Sequence, residues 1–129
     1  DSPAHEYCYK HQCEMTTVKV AEYLKLKEGT FSTSFQSRVT LIGSWLKPYT
    51  DKTVEAFAQG GTKELAIVTP AFISDCLETL EEIGMEAAED FKDKGGKHLH
   101  VIPCINDRED WVNVLSRWID EWALNESVS

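Results

Sequence analysis

Cysteine is scarce in this sequence, and its spacing does not suggest a metal site. The four cysteines, Cys8, Cys13, Cys76 and Cys104, form no C-x-x-C pair and no recurrent zinc spacing. Scattered cysteines also give no support for an iron–sulfur cluster. Free thiols are therefore the expected state, and no tightly bound cofactor is expected.

Long apolar runs and a basic leader are absent as well. No apolar stretch is long enough to span a membrane, and the first residues lack the basic start and apolar middle of a signal peptide. The sequence therefore predicts no transmembrane segment. It indicates a cytoplasmic protein, with peripheral attachment to a membrane left open.

Basic residues are in the minority. The 129 residues include 13 Lys and Arg against 22 Asp and Glu, for a net charge of −9. An acidic chain without a basic cluster repels phosphate backbones, so nucleic acid is not an expected partner. The apolar fraction of 42% is that of an ordinary globular protein, and the length fits one domain.

Short apolar runs alternate with longer amphipathic segments, a pattern typical of βαβ units with a parallel sheet. The predicted strands cover residues 31–36, 64–69 and 98–103. Their starts are about 33 residues apart, close to the ~30-residue length of a strand plus a crossover helix. The expected class is α/β, a three-layer α/β/α arrangement of flavodoxin-like or Rossmann-like type with a parallel sheet.

Four helices are predicted around these strands, over residues 10–26, 51–59, 75–94 and 107–124. The first is expected to stop near Gly29. Three helices show apolar stripes that we expect to be buried. These stripes are Val18, Val20, Ala21 and Leu24 in the first helix, Leu77, Leu80, Ala87, Ala88 and Phe91 in the third, and Trp111, Leu115, Trp118 and Trp122 in the fourth, where the stripe is predicted to be core or interface.

The first helix has no strand in front of it, although every later helix has one. In a flavodoxin-type sheet the first strand lies inside the sheet, so its absence would leave unpaired backbone groups. A preceding segment of a longer protein, a partner chain or an unusual strand order would have to complete the sheet. We therefore expect residues 1–129 to be one incomplete domain.

Acidic residues are concentrated at the start of the third predicted helix, after the second strand. Ser74 or Asp75 can cap this helix, and Asp75, Glu78, Glu82 and Glu89 are predicted to share a face turned away from the apolar stripe. A line of carboxylates at the carboxyl end of a strand suits divalent cations or proton transfer. A solvated acidic helix face is the alternative interpretation.

Three weaker candidates lie elsewhere. Gln36, Ser37 and Arg38 end the first predicted strand and offer donors to a carboxylate or phosphate, although an ordinary loop looks similar. The other two candidates are potential metal ligands, and ordinary structural roles are favoured for both. They are the pair His98 and His100 on the third strand, and the group Cys8, His11 and Cys13 at the chain start.

These segments together resemble ferrochelatase, the enzyme that inserts ferrous iron into a porphyrin in haem synthesis. The resemblance covers nearly the whole chain, in family order, and its most specific part is S-D-C-L-E-T-L-E-E-I. The other matching segments are the first helix region, S-F-Q-S-R, W-L-K-P-Y-T, G-G and I-P-C-I-N-D. The resemblance implies the carboxyl-terminal half of a two-domain enzyme of chelatase fold, with the porphyrin held between the halves.

The resemblance also implies roles for particular residues. Glu78 corresponds to the glutamate that faces a catalytic histidine across the porphyrin and binds iron or accepts pyrrole protons. Asp75 and Glu82 would belong to an acidic path leading away from it, and Cys76 occupies a position where several relatives have histidine. Residues that would line or support the porphyrin cleft are Gln36, Ser37, Arg38 and Trp45.

The family's catalytic histidine belongs to a strand that would precede the first helix, so the missing strand and the missing histidine coincide. We therefore expect a fragment that is inactive alone, whose partners are the porphyrin, Fe²⁺ as substrate and the missing amino-terminal half. Protoporphyrin IX and coproporphyrin both remain open as the porphyrin. Two alternatives are a small homodimeric chelatase for another tetrapyrrole and a non-catalytic tetrapyrrole-binding half-domain.

Overall fold

The computed structural model of the chain describes residues 7–36 and 45–126. From α2 onward helical segments and strands alternate, as the sequence predicts for an α/β protein. In chain order the elements are α1 (Tyr9–Leu24), α2 (Thr50–Gln59), β1 (Glu64–Ile67), a π-helix (Glu78–Ala87), α3 (Ala88–Asp93), β2 (His98–Val101) and α4 (Glu109–Glu126).

The two strands form a parallel sheet, with Glu64 opposite His98 and Ile67 opposite Val101. The π-helix and α3 form the crossover between them. This arrangement confirms the second and third predicted strands, their parallel pairing and the α/β class. Both strands therefore end at the same edge of the sheet.

The core lies on one face of this sheet. Side chains alternate between exposed and partly buried along both strands. The inward-facing residues pack with α2 and α3 in a single cluster, formed by Leu65, Ile67, Leu99, Val54, Phe57, Ala58 and Phe91. The outward-facing residues of the sheet, Glu64, Ala66, His98 and His100, are exposed.

Gly96 permits the closest packing in this core. Its N–H donates a hydrogen bond to the carbonyl oxygen of Phe91 at 2.8 Å. A Cβ at position 96 would collide with the Phe91 ring, which is fully buried. A glycine is therefore required where the chain turns from α3 into β2.

The prediction of a strand over residues 31–36 is wrong, since the structure shows no strand there. Only Phe35 is bridged, in parallel orientation, to Tyr49. The Phe35 N–H donates to the carbonyl of Pro48 at 2.9 Å, and its carbonyl accepts from the Thr50 N–H at 3.0 Å. The backbone of Phe35 is thus paired with the loop before α2, and no strand forms.

The first helix ends earlier than predicted. Lys25 adopts a left-handed conformation with φ 54°, and its N–H bonds back to the last turn, so the helix stops before Gly29. Of the predicted apolar stripe only Ala21 is buried, whereas Val18, Val20 and Leu24 are exposed. Burial of this stripe was therefore a wrong prediction for the described part of the chain.

The third predicted helix is a π-helix followed by a short α-helix, and this changes which residues are buried. The wider turn of a π-helix, with i→i+5 hydrogen bonds, brings every fourth residue onto one row. The buried row is Thr79, Ile83, Ala87 and Phe91. The predicted members Leu77 and Leu80 are instead 72% and 58% exposed, because a regular α-helical period was assumed.

The apolar face of α4 is largely uncovered. The Trp111 ring meets Trp118 edge to face, with 6.0 Å between ring centroids. Trp118 and Trp122 are 53% and 64% exposed, so this stripe is not core within the described residues. Within residues 7–36 and 45–126, no helix has the length and apolar character of a membrane span.

Candidate functional site

The candidate site lies at the carboxyl edge of the sheet, where ligands bind in open α/β folds. The chain leaves β1 and enters the π-helix through residues 68–77, and it leaves β2 through residues 102–108. The N–H of Asn106 donates to the carbonyl of Ile73 at 2.8 Å. This hydrogen bond therefore joins the two segments shortly before the π-helix begins.

Asp75 and Asn106 form a reciprocal pair of hydrogen bonds. The backbone N–H of Asp75 donates to Asn106 Oδ1 at 2.9 Å. In return, Asn106 Nδ2 donates to Asp75 Oδ2 at 2.7 Å. Asn106 has a positive φ of 53°, a conformation that asparagine tolerates better than most residues.

Thr79 ties Asp75 to the first turn of the π-helix. Its Oγ1 donates to Asp75 Oδ1 at 3.0 Å and accepts the backbone N–H of Cys76 at 2.9 Å. Thr79 is 1% exposed, so this hydroxyl is buried and hydrogen-bonded. The side chain therefore satisfies a backbone donor that the start of a helix leaves without an intrahelical partner.

The carboxylate of Asp75 is stabilised in its ionised form. The hydrogen bond from the Asn106 amide, followed by those from the Cys104 thiol and the Thr79 hydroxyl, lowers the pKa of Asp75 below its ordinary value. The backbone N–H of Cys104 adds a longer contact of 3.4 Å to Oδ1. Asp75 is thus an ionised acceptor at neutral pH.

Glu78 is held from the opposite side. The side-chain amide of Gln36 donates from Nε2 to the backbone carbonyl of Glu78 at 3.2 Å. The indole of Trp45 donates from Nε1 to the carbonyl of Gln36 at 3.1 Å. Three residues singled out from the sequence are therefore joined in one hydrogen-bonded series.

The pKa of Glu78 is also lowered. A hydrogen bond from the Cys76 thiol has the largest effect, and the backbone N–H of Glu78 adds to it. The side chain remains partly exposed. Glu78 therefore presents a negative charge at the sheet edge, which suits attraction of a cation.

Three predicted site residues remain, namely Glu82, Ser37 and Arg38. Glu82 is exposed on the π-helix, four positions after Glu78 and hence on nearly the same row. Ser37 and Arg38 lie outside the described residues.

An open groove of about 790 Å³ adjoins the site. It lies between the exit of β2 and the first turns of α4, and Cys104 and Asn106 contribute to its wall. The apolar residues of its lining are Val68, Ile102, Pro103, Ile105, Trp111 and Val114. The charged residues of the lining are Asp107, Arg108 and Asp110. The groove therefore combines an apolar wall with a few charged groups, a combination typical of ligand sites.

Neither weaker metal candidate gains support. Residues 98 and 100 lie on the exposed sheet face, as their alternation predicts, and His100 Nε2 is 2.8 Å from Glu64 Oε2. Within the described ranges no three His, Cys, Asp or Glu side chains are grouped so as to hold a metal ion. All four cysteines, including Cys8 and Cys13, are free thiols, as predicted.

Sequence reasoning missed Asn106, Thr79 and Cys104 as parts of the site. Asn106 does follow a strand, within the I-P-C-I-N-D segment, and polar residues at that position are a recognised signal in parallel sheets. Thr79 carries no such signal, because its role depends on the π-helix.

Comparison with known proteins agrees with this architecture. The family model for ferrochelatase matches residues 2–123. Ferrochelatases of Pseudomonas putida, Pseudomonas aeruginosa and Pseudomonas fluorescens are 43%, 46% and 44% identical over 109 residues. Each alignment covers 84% of this chain but only 32% of the relative, so the chain spans about a third of their length. The chain belongs to the ferrochelatase family.

Proposed function

We propose that this chain is the carboxyl-terminal part of a ferrochelatase, a lyase of haem biosynthesis that inserts ferrous iron into a porphyrin, either protoporphyrin IX or coproporphyrin. The family match supports the chemistry, and the position of Glu78 at the carboxyl edge of the sheet supports the site. The single observation that carries the proposal is Glu78 at the start of the π-helix, where its backbone carbonyl accepts a hydrogen bond from the Gln36 amide.

Glu78 is the proposed catalytic residue and metal ligand. A porphyrin loses two pyrrole protons when Fe²⁺ enters, so the site needs a negative group near the ring centre. A carboxylate with a lowered pKa is ionised at neutral pH and attracts the incoming cation. Glu82 follows on nearly the same row of the π-helix and is proposed to extend the path toward solvent.

The porphyrin cleft is proposed to be lined or supported by Gln36, Ser37, Arg38 and Trp45. Gln36 and Trp45 lie next to the backbone of Glu78, which supports this placement. Arg38 supplies a guanidinium that suits a propionate carboxylate.

The complete protein is proposed to supply a catalytic histidine from its amino-terminal part, opposite Glu78. The chain spans 32% of the relatives' length, and the exposed apolar face of α4 agrees with a place in a larger protein. This chain alone is therefore expected to be inactive. Insertion of iron or zinc into a porphyrin by residues 1–129 alone would overturn that expectation and favour a small homodimeric chelatase.

The protein is proposed to act in the cytoplasm and to bind no nucleic acid. A net charge of −9 repels phosphate backbones.

The test compares Glu78→Gln with Glu81→Gln in the complete protein. Glu81 is exposed on the same π-helix and serves as the matched control. Glu78→Gln should lower the turnover number for anaerobic Fe²⁺ insertion by about 100-fold or more, the scale of a lost proton-transfer or charge-stabilising group. Porphyrin binding, followed by fluorescence, should persist in both variants.

The turnover of Glu81→Gln should stay close to that of the wild type. Near-normal turnover in Glu78→Gln, or an equal loss in both variants, would contradict the role assigned to Glu78.

A further inference from the structure

We propose that Asp75 and Asn106 form a positioning pair that fixes the first turn of the π-helix and thereby aims Glu78, and that Asp75 itself passes neither metal nor protons. This inference rests on the proposed function of Glu78. It assigns a role to Asn106 and replaces the acidic-path role that family resemblance implies for Asp75.

The Asp75 carboxylate is already largely occupied by donors. An ionised carboxylate offers about four acceptor positions. Three donors reach this one, from Asn106 Nδ2, from Thr79 Oγ1 and, at 3.4 Å, from the Cys104 N–H. A metal ion or a proton would compete with these donors, which is unfavourable for a group that must bind and release it in every turnover.

The donors to Asp75 come from two different segments of the chain. Asn106 and Cys104 belong to the segment after β2, whereas Thr79 belongs to the π-helix. Asp75 therefore joins the sheet exit to the helix start. The reciprocal bond from the Asp75 N–H to Asn106 Oδ1 adds a backbone anchor, which fixes the direction of the chain as well as the side chain.

The backbone of Glu78 lies between two hydrogen-bonded anchors. On one side Thr79, its next neighbour, is bonded to Asp75; on the other, the Glu78 carbonyl accepts the amide of Gln36. The backbone that carries Glu78 is thus held from two separate segments. A shift of about 1 Å in a catalytic group can cost on the order of 100-fold in rate, so loosening one anchor should be measurable.

The decisive experiment exchanges the two side chains in the complete protein, as Asp75→Asn, Asn106→Asp and the double variant D75N/N106D. In the double variant an amide at position 75 can donate to a carboxylate at position 106, and position 75 keeps an Oδ1 for Thr79 and Cys104. The contact between positions 75 and 106 is preserved, and the negative charge has left position 75. The hydrogen bond from Asn106 Nδ2 to the Cys104 carbonyl is lost in the double variant and in Asn106→Asp alike. A positioning role survives this exchange, whereas a relay at position 75 does not.

Each single variant should lower kcat for Fe²⁺ insertion by about 10- to 100-fold with a smaller change in the porphyrin KM, because the pair is proposed to act on the backbone that carries Glu78. The double variant should recover to within about threefold of the wild type, as coupled partners do. Its pH profile of kcat should match that of the wild type. A double variant as inactive as Asp75→Asn, or one with a shifted pH profile, would overturn the inference.

A second pair of variants covers the case in which the exchanged proteins fail to fold. Thr79→Ser keeps the hydroxyl that bonds Asp75, and Thr79→Val removes it with little change of shape. Positioning predicts a lower kcat in Thr79→Val and partial or full retention in Thr79→Ser. Equal kcat values in the two variants would overturn the inference.

Failure of the proposed function gives a different result. If the wild-type complete protein inserts no metal into any porphyrin, the assignment of Glu78 falls. The Asp75–Asn106 contact is then tested by thermal unfolding. The double variant should have a higher unfolding midpoint than either single variant. If the wild type is active but the double variant recovers none of the activity lost in the single variants, the positioning role falls and the proposed function of Glu78 stands.

Discussion

The side-chain amide of Gln36 donates a hydrogen bond to the backbone carbonyl of Glu78 across 42 residues of sequence, at 3.2 Å. This contact joins the end of a loop segment to the first residue of the π-helix. It places two residues of the family motifs side by side, and it gives Glu78 a fixed backbone before any substrate is bound.

Removing this contact should reduce turnover without removing Glu78. Gln36→Ala in the complete protein should lower kcat by about tenfold, since one net hydrogen bond is worth about 1 kcal/mol or slightly more. Gln59→Ala, at the exposed end of α2, is the matched control. Steady-state porphyrin metallation measures both, and equal kcat values in the two variants would contradict a positioning role for Gln36.

Gly96 should not tolerate a side chain. Gly96→Ala drives a methyl group into the Phe91 ring, which is fully buried, and should lower the free energy of unfolding by about 1–3 kcal/mol. Gly84→Ala is the control, because its added Cβ makes an ordinary contact 3.4 Å from the Thr79 carbonyl oxygen. Urea unfolding measures both. A destabilisation of Gly84→Ala as large as that of Gly96→Ala would contradict this packing.

Within the π-helix, truncation of Ile83 should lower the free energy of unfolding much more than truncation of Leu80. Ile83 is 2% exposed and Leu80 is 58% exposed. Ile83→Ala should cost about 2–5 kcal/mol of unfolding free energy, whereas Leu80→Ala should cost about 0.5 kcal/mol or less. Chemical denaturation of the ligand-free protein tests this. A larger cost for Leu80→Ala would mean that the segment follows the regular α-helical period.

Acid should weaken the Asp75–Asn106 pair in a defined direction. The pKa of Asp75 is lowered in the folded state, mainly by the Asn106 amide, so its stabilisation is complete above the ordinary value of 3.8 and is lost as the pH falls through the folded value. The difference in unfolding free energy between the wild type and Asn106→Ala should therefore be constant from neutral pH down to about 5 and should shrink below about 4.

The control for this pH dependence is the same Asn106→Ala change made in an Asp75→Asn background. Without a titrating group at position 75, the stability difference should not vary over this pH range. A wild-type difference that stays constant down to pH 3, or one that grows with acid, would contradict the assigned cause.

Much of the architecture was predictable from local pattern. Strands were predicted over residues 64–69 and 98–103 from short apolar runs bounded by polar and glycine-rich segments. The structure has both strands, and each ends two residues earlier, at Ile67 and Val101. Their parallel pairing followed from the helix-length segment between them. Glu78 and Asp75 were recognisable as site residues by resemblance and by their place after a strand. Their roles remain predictions.

The failures arise where a neighbour from elsewhere in the chain decided the outcome. Phe35 looks like a strand residue, yet its backbone groups pair with Pro48 and Thr50, which no local pattern reveals. Leu77 and Leu80 look like core residues under an α-helical period, but the π-helix turns them outward. Asn106 has no acidic or basic group to attract notice.

The sequence by itself determined the α/β class, the order of the crossover unit and the presence of carboxylates at the start of the third helix, because these depend on composition and periodicity along the chain. Only the tertiary structure decided that Asp75 pairs with Asn106, that Gln36 reaches Glu78, and that every fourth residue of the π-helix is buried. The two hydrogen bonds join residues 31 and 42 positions apart, and contacts at such separations leave no local signal in the sequence.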